Sequence, residues 1–554
     1  MQIFSSQIFS SRTFKRSRTA KKLSIVLVSV AIASCTANST NPNTAENSPA
    51  TTGSAEQIVL AIGGESEEGY DPTLGWGRYG SPLFQSTLLK RDQDLNIVND
   101  LATDYSVSGD GKTWTVTLRE DAVFSDGEPL TAADVAYTFN KAAESGGLTD
   151  VTQLEEAIAL DDTTVALTLK QPQSTFVNRL ITLGIVPEHA HGQDYARSPV
   201  GSGPYQLVQW DEGQQMIAEA NPDYYGEAPG IQRLVFLFNE EDAAFAAAKA
   251  GQAQVAAVPQ SLAVQEIAGM QLYDVTSVDN RGLMFPYLPA NAKETADGDP
   301  VGNDVTADLA IRQAVNYAVD RQTLVDGILE GYGSPAYGPV SGLAWEETQA
   351  NIEDAQPEKA KEILAEAGWT DGNGDGILEK NGVKAEFTIL YKADDSIRQA
   401  LALATAEMLQ PIGILANVEG KSWDDIEPLM HSNVVVFGWG SHDQTEMYNL
   451  YHSQAAEGDY YNAGYYANQA IDSTLDLAMG APSEAEAITY WKAAQWNGDA
   501  GVTAKGDAAW AWLVNLDHTY FVDECLDIGE PQVEPHGHGW PITANIAEWE
   551  WTCG

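Results

Sequence analysis

From Ile58 to the C-terminus, strand-like and helix-like segments alternate without any repeat of 20 to 50 residues, and this constrains the fold more than any other feature. Ile58-Val59-Leu60-Ala61-Ile62 is a continuous apolar run ended by Gly63-Gly64. Lys112 to Leu118 alternates as a half-buried strand should, Thr163 to Lys170 follows as another strand, and Glu386 to Tyr391 reads as a third. Ser81 to Lys90, with Pro82 at its first position, reads as a helix. Thr131-Ala132-Ala133-Asp134 opens another with a capping-box start, running to Ala143. In Ile311 to Leu324, residues 311, 314, 315, 318 and 319 form one apolar helix face that belongs to a core. The class is mixed, α/β or α+β, with α/β favoured. About 500 residues of such alternation are enough for two or three domains.

The first 57 residues stand apart. Six basic side chains between Arg12 and Lys22 precede a short apolar run from Leu23 to Ile32, and Ser34-Cys35 follows. This is the pattern of a secretory signal peptide over residues 1–34. The apolar run is short of the ~20 residues that a membrane span needs. Ile32-Ala33-Ser34-Cys35 resembles a bacterial lipobox, which implies an acylated Cys35 at the mature N-terminus. The alternative is an ordinary signal peptide with a chance cysteine. Residues 35–57 are nearly all small, polar or Pro and read as a flexible tether.

The chain carries 30 Lys+Arg against 79 Asp+Glu, a net charge of −49; removal of residues 1–34 takes six positive charges and leaves −55. A phosphate backbone needs a basic surface, so nucleic acid is excluded as a partner. The acid reads as a solvated, self-repelling surface. Beyond Cys35 only Cys525 and Cys553 occur. In an exported chain they form either one C-terminal disulfide or two buried thiols.

Enzyme motifs are missing: there is no Gly-x-Ser-x-Gly, His-Glu-x-x-His, Walker A or Cys-x-x-Cys. Gly75-Trp76-Gly77-Arg78-Tyr79-Gly80 matches a dinucleotide fingerprint by letter, but no strand precedes it and bulky residues fill the positions meant for a pyrophosphate. Asp371, Asn373 and Asp375 begin like a calcium loop, but Gly382 stands where the bidentate Glu belongs. No cofactor is expected. Val434 to Asp443 is the best site candidate: an apolar strand enters a glycine turn that presents Trp439, Ser441, His442 and Asp443 together. His536 and His538, one residue apart among glycines, would suit a borderline metal with His442; the other reading is a packed turn beside Trp540.

Five collinear blocks carry a family resemblance. They are Gly109–Arg119 with Phe124–Val135; Pro199-Val200-Gly201-Ser202-Gly203-Pro204-Tyr205 with Asn221–Tyr225; Ile311–Arg321; Pro357–Trp369; and Asp371–Ile377. The chain is similar to family 5 extracytoplasmic solute-binding proteins, the peptide- and nickel-binding receptors of ABC importers. The resemblance implies a two-lobed periplasmic-binding-protein type II-like fold with an extra N-terminal subdomain and a hinge-bending cleft. Lobe I would be residues 58–284 plus 505–554, with the subdomain inserted at about 100–195, and lobe II residues 285–504.

The implied activity is capture of a di- or oligopeptide, with delivery to ABC permease subunits. A nickel chelate is the alternative cargo, and a peptide sensor or chaperone without import is a second alternative. The receptor would be no enzyme, a monomer, extracytoplasmic in the periplasm or at the cell surface, and anchored to the membrane through Cys35. The resemblance also implies cleft-lining aromatics, here Tyr70, Trp76 and Tyr79. Asp443 would pair with a peptide ammonium, and Arg281 would receive a carboxylate. Laid on the nickel receptors' Trp-Gly, the metal-binding histidine falls near Glu446, so His442 would have to substitute.

Overall fold

The strand Ile58–Gly63 is buried along five of its six residues, because it pairs in parallel on both sides, with Arg233–Phe238 and Val255–Val258. A strand covered on both faces has no polar alternation, which is why the run is continuously apolar. These strands sit inside a seven-stranded sheet that ends with Met270–Val275 and His518–Asp523 on one side and Gln215–Ala220 and Tyr205–Asp211 on the other. The computed structural model describes residues 54–554 except 55, 67, 68, 80, 81, 240, 457, 459, 538, 539 and 554. The expected signal peptide, Cys35, most of the tether and His538 lie outside the described residues.

A second sheet has four antiparallel strands in the order Ala102–Val107, Thr113–Leu118, Thr164–Leu169, Leu154–Ala159. Trp114, Val116 and Leu118 point inward at period two. The helix Ala132–Ser145 covers this sheet. Its start is closed by the reciprocal Thr131/Asp134 box, and Gly146 at φ 63° ends it in the left-handed conformation. One core joins Trp114, Phe139, Phe176 and Leu180.

A third, six-stranded sheet has the order Gly333–Pro335, Trp510–Leu516, Asn280–Met284, Val434–Trp439, Glu386–Lys392, Leu415–Lys421. Residues 311, 314, 315, 318 and 319 all enter its core, as their spacing predicts. The chain there forms two helices, Leu309–Ala318 and Arg321–Ile328, rather than one. Val319 turns extended, and the Asp320 side chain caps the second helix by accepting from the Thr323 N–H.

Residues 82–90 do not form the expected helix. Leu83 adopts φ 56°. The backbone oxygens of Phe84, Thr87 and Leu88 accept from Gly203, Leu101 and Ala102 instead of from their own turn. Distant backbone outcompetes a weak local preference.

Two short links join the seven- and six-stranded sheets: residues 276–279, and the single residue Asp517 between Trp510–Leu516 and His518–Asp523. Sheet membership therefore changes near 279 and 517, not at the expected 284 and 505. Glu534 runs beside the first link, exchanging backbone hydrogen bonds with Thr276 and Val278. The links are tied by charge. His518 donates Nδ1 to Glu534 at 2.6 Å and Nε2 to Asp279 at 3.2 Å. Burial alone would lower the His518 pKa, but the hydrogen bonds to Asp279 and Glu534 push it up to about 10. Cys525 and Cys553 form a disulfide with Cα atoms 5.1 Å apart, deciding between the two readings of that pair.

Candidate ligand-binding site

A cavity of about 500 Å³ opens between the inserted subdomain, the turn after Val434–Trp439 and the C-terminal segment. Its walls come from parts far apart in the chain: Arg78 and Tyr79, Lys90 and Arg91, Arg119, residues 178–182, residues 441–449, and residues 541–548.

Four expected residues line it: Tyr79, Ser441, His442 and Asp443. The strand Val434–Trp439 delivers the last three, its first four residues buried in the sheet and Gly440 turning the chain at φ 150°. A Cβ on Gly440 would stand 2.3 Å from the Val278 oxygen, so the turn requires glycine on two counts.

Asp443 is not an open carboxylate, as the peptide-ammonium role would need. It pairs with Arg179 at 2.8 Å and accepts from Asn178 at 3.0 Å. Arg281 is also committed. It is 8% exposed, binds Asp279 and donates to the Asn280 carbonyl at 2.9 Å, away from the cavity wall. Asp279 stands two residues back on the chain, close enough to take the guanidinium before any ligand does.

Tyr70 and Trp76 are core residues rather than cleft walls. Tyr70 is fully buried, its ring 4.9 Å from Trp76, and Trp76 donates Nε1 to the Pro82 carbonyl at 2.7 Å. Trp439 lies one layer behind the wall, stacked at 4.6 Å on Tyr461, which does line the cavity.

Of the expected metal set only His442 and His536 are among the described residues. His536 donates Nδ1 to Asp279 at 2.5 Å. Among the described residues no group of three or more His, Cys, Asp and Glu is placed to hold a metal ion. His442 is different: burial, reinforced by the Arg91 charge, pushes its pKa down to about 3, so its ring is neutral. Its Nε2 has no hydrogen-bond partner among the described residues.

The wall holds several residues that the sequence reading missed. Arg78, Lys90, Arg91, Arg119 and Arg179 gather there in a chain with only 30 basic side chains. Arg179 is taken by Asp443, and Arg119 by Asp121 at 2.6 Å, with its guanidinium 4.1 Å from the Tyr225 ring. Among the described residues Arg91 donates to neutral oxygens, Leu95 O at 3.0 Å and Asn178 Oδ1 at 2.7 Å. Neither Arg78 nor Arg91 forms an ion pair among the described residues. Scarcity of cations in so acidic a chain is the signal that would have pointed to them.

Glu446 is the second omission. It is 8% exposed and accepts from the Gly440 N–H at 3.2 Å. Burial, with Asp443 and Asp279 nearby, pushes its carboxyl up to about 8. Its position four residues before Leu450, on the buried face of the helix Thr445–Tyr451, was a readable sign.

Sheets joined by two short links, with a partly open cavity lined by charged, polar and aromatic side chains, define a two-lobed solute-binding protein. Residues 96–470 match the model of the bacterial extracellular solute-binding proteins, family 5 Middle, and the chain belongs to this family of solute-binding proteins. It is 34% identical over 501 residues to protein XP55 of Streptomyces lividans, covering 87% of this chain and 88% of that one. It is 28% identical to the oligopeptide-binding protein AppA of Bacillus subtilis, over 83% of this chain and 88% of that protein. The crystal structure of NikZ from Campylobacter jejuni with Ni(L-His) superposes with a TM-score of 0.77 at 25% identity, over 89% of this chain and 99% of that one. No helix among the described residues is long and apolar enough to cross a membrane.

Proposed function

We propose that this protein captures short peptides, a few residues long, between its lobes and hands them to an ABC permease outside the cytoplasm, held at the membrane by acylated Cys35. The lobes would be residues 58 to about 278 with 517–554, and about 279 to 516, following sheet membership. The observation that carries the reading is the wall of the cavity of about 500 Å³, with the guanidinium groups of Arg78 and Arg91 outside any ion pair among the described residues and the buried acid Glu446 within the same wall. A zwitterionic ligand supplies a carboxylate for the arginines and an ammonium for Glu446, whose carboxyl gives up its proton as the ammonium binds. The volume lies in the ~300–1,000 Å³ range of small-molecule pockets. That size favours di- to tetrapeptides over long ones. Tyr79 and Tyr461 give apolar wall for side chains of any sequence.

Native mass spectrometry of purified protein is expected to show a co-purified short peptide, and calorimetry is expected to show heat with di- to tetrapeptides and none with nonapeptides. Absence of heat with every peptide would refute the reading. Fractionation checks the anchor: Cys35→Ser is expected to move from membrane to soluble fraction.

One observation favours nickel chelate as a second cargo. The neutral His442 ring, with its Nε2 unpartnered among the described residues, is in the form a metal accepts. A chelator would have to supply the other ligands. Calorimetry with nickel plus free histidine then shows heat that His442→Ala abolishes; no heat at micromolar metal ends this reading.

A further inference from the structure

Residues 174–179 form a bridge across the cleft that no ligand is needed to explain. Phe176 is rooted in the core of the inserted subdomain, 5.6 Å from the Trp114 ring and 6.2 Å from Phe139. The residues around it face the other way, onto elements rooted in the core under the six-stranded sheet. Ser174 donates its N–H to the Met479 carbonyl at 2.7 Å and its hydroxyl to the Ala478 carbonyl at 2.8 Å. These are the last two carbonyls of the helix Gln469–Met479; that of Ala478 also accepts from the N–H groups of Gly480 and Ala481 just past the helix end. Thr175 and Thr445 share a hydroxyl hydrogen bond of 2.8 Å. Asn178 donates to Asp443 at 3.0 Å, and Arg179 pairs with the same carboxylate at 2.8 Å. Ala478 and Met447, beside these acceptors, belong to the core that holds Trp491 and Trp512. Each half of the bridge is therefore fixed to a different lobe.

We propose that this bridge is a clasp: a helix end of one lobe is capped by the other, and Arg179–Asp443 is its ion pair. The pair is sheltered, with side chains 9% and 15% exposed, so its attraction is screened less than that of a surface pair. Asn178, Arg179, Asp443 and Thr445 of the clasp line the cavity, and the clasp holds the lobes together through the protein's own groups. Closure is then favoured before cargo arrives, and cargo contacts need supply only the remainder. It also explains why Asp443, at a position where a ligand ammonium was expected, carries an internal cation instead. The inference rests on the two-lobed reading but on no particular cargo.

Small-angle scattering from the intact mature protein, stripped of ligand by unfolding and refolding with the disulfide intact, tests it. Asp443→Arg and Arg179→Asp are each expected to enlarge the radius of gyration, shifting the closed-to-open ratio on the order of tenfold. The double exchange is expected to restore the compact profile. Thr445→Val, a milder change, is expected to shift the profile in the same direction, and it carries the test if a charge reversal fails to fold. A Ser174→Cys/Met479→Cys pair is expected to cross-link on oxidation and to make the profile insensitive to Arg179→Asp. Superimposable profiles for wild type and every folded single variant would overturn the clasp. So would a double exchange no more compact than either reversal. Protein that shows the clasp pattern but binds no peptide would keep this inference and remove only the cargo reading.

Discussion

Glu446 shows how much a single carboxyl can impose on this protein. Its folded pKa, about 8, lies above the ordinary value of 4.5. Between those two values the folded state holds a proton that the unfolded state has lost, so stability falls as pH rises through that window and levels off above it. Glu446→Gln removes the titration while keeping an oxygen for the Gly440 N–H. The variant is expected to gain on the wild type as pH rises from 5 to 8, by a few kcal/mol at most. Urea midpoints at several pH values check this; parallel pH profiles would mean that Glu446 is ionised in the folded state. At this scale the sequence was half legible. Ser441, His442, Asp443 and Tyr79 do face the cavity because local order, a strand running into a glycine turn, placed three of them. The partners of Asp443 and Arg281 were illegible for opposite reasons. Arg179 is remote in sequence from Asp443, whereas Asp279 is so near Arg281 that it satisfies the arginine first.

Elements with strong internal periodicity were readable, and those held by distant backbone were not. Thr113–Leu118 and the Ile311 face follow their sequence period, while residues 82–90 are shaped by Leu101, Ala102 and Gly203. The C-terminal wall of the cavity belongs to the second kind. Pro541–Glu548 is 3-10 helical with a kink at Asn545, and the chain just after it is held by the short pairing of Glu550–Trp551 with Leu526–Asp527. Asn545 fixes it further, donating to the Ile528 carbonyl at 2.8 Å and accepting from Trp549 Nε1 at 3.0 Å. The Cys525–Cys553 bridge closes this unit over a separation of 28 residues. A loop of that size corresponds to about 3–4 kcal/mol in the chain-entropy account. Cys525→Ser/Cys553→Ser is expected to lose about that much in urea unfolding. It is also expected to raise hydrogen exchange across 541–548 while leaving Ile58–Gly63 protected. Equal exchange in both segments would mean that the bridge stabilises the whole fold rather than this wall.

Over the whole molecule, charge is distributed unevenly: a net −49 overall, yet five basic side chains gathered in one cavity wall. The exposed acids repel one another across a surface where salt screens over ~30 Å at 0.01 M and ~3 Å at 1 M. The ion pairs of the links and of the clasp are sheltered: Asp279 side chain 3% exposed, Glu534 1%, Arg179 9%. Screening should therefore relieve the surface repulsion and leave the buried pairs nearly intact. The melting temperature is expected to climb between about 0.01 M and 1 M sodium chloride, with the radius of gyration of the ligand-free protein unchanged. The two readings separate the two populations of charge. If the melting temperature stays flat, the surface acids are already neutralised by bound counterions; if the radius grows with salt, the pairs that join the lobes are more exposed to solvent than their burial implies. A surface that gains from salt around a closure that ignores it would keep the proposed capture constant as ionic strength varies.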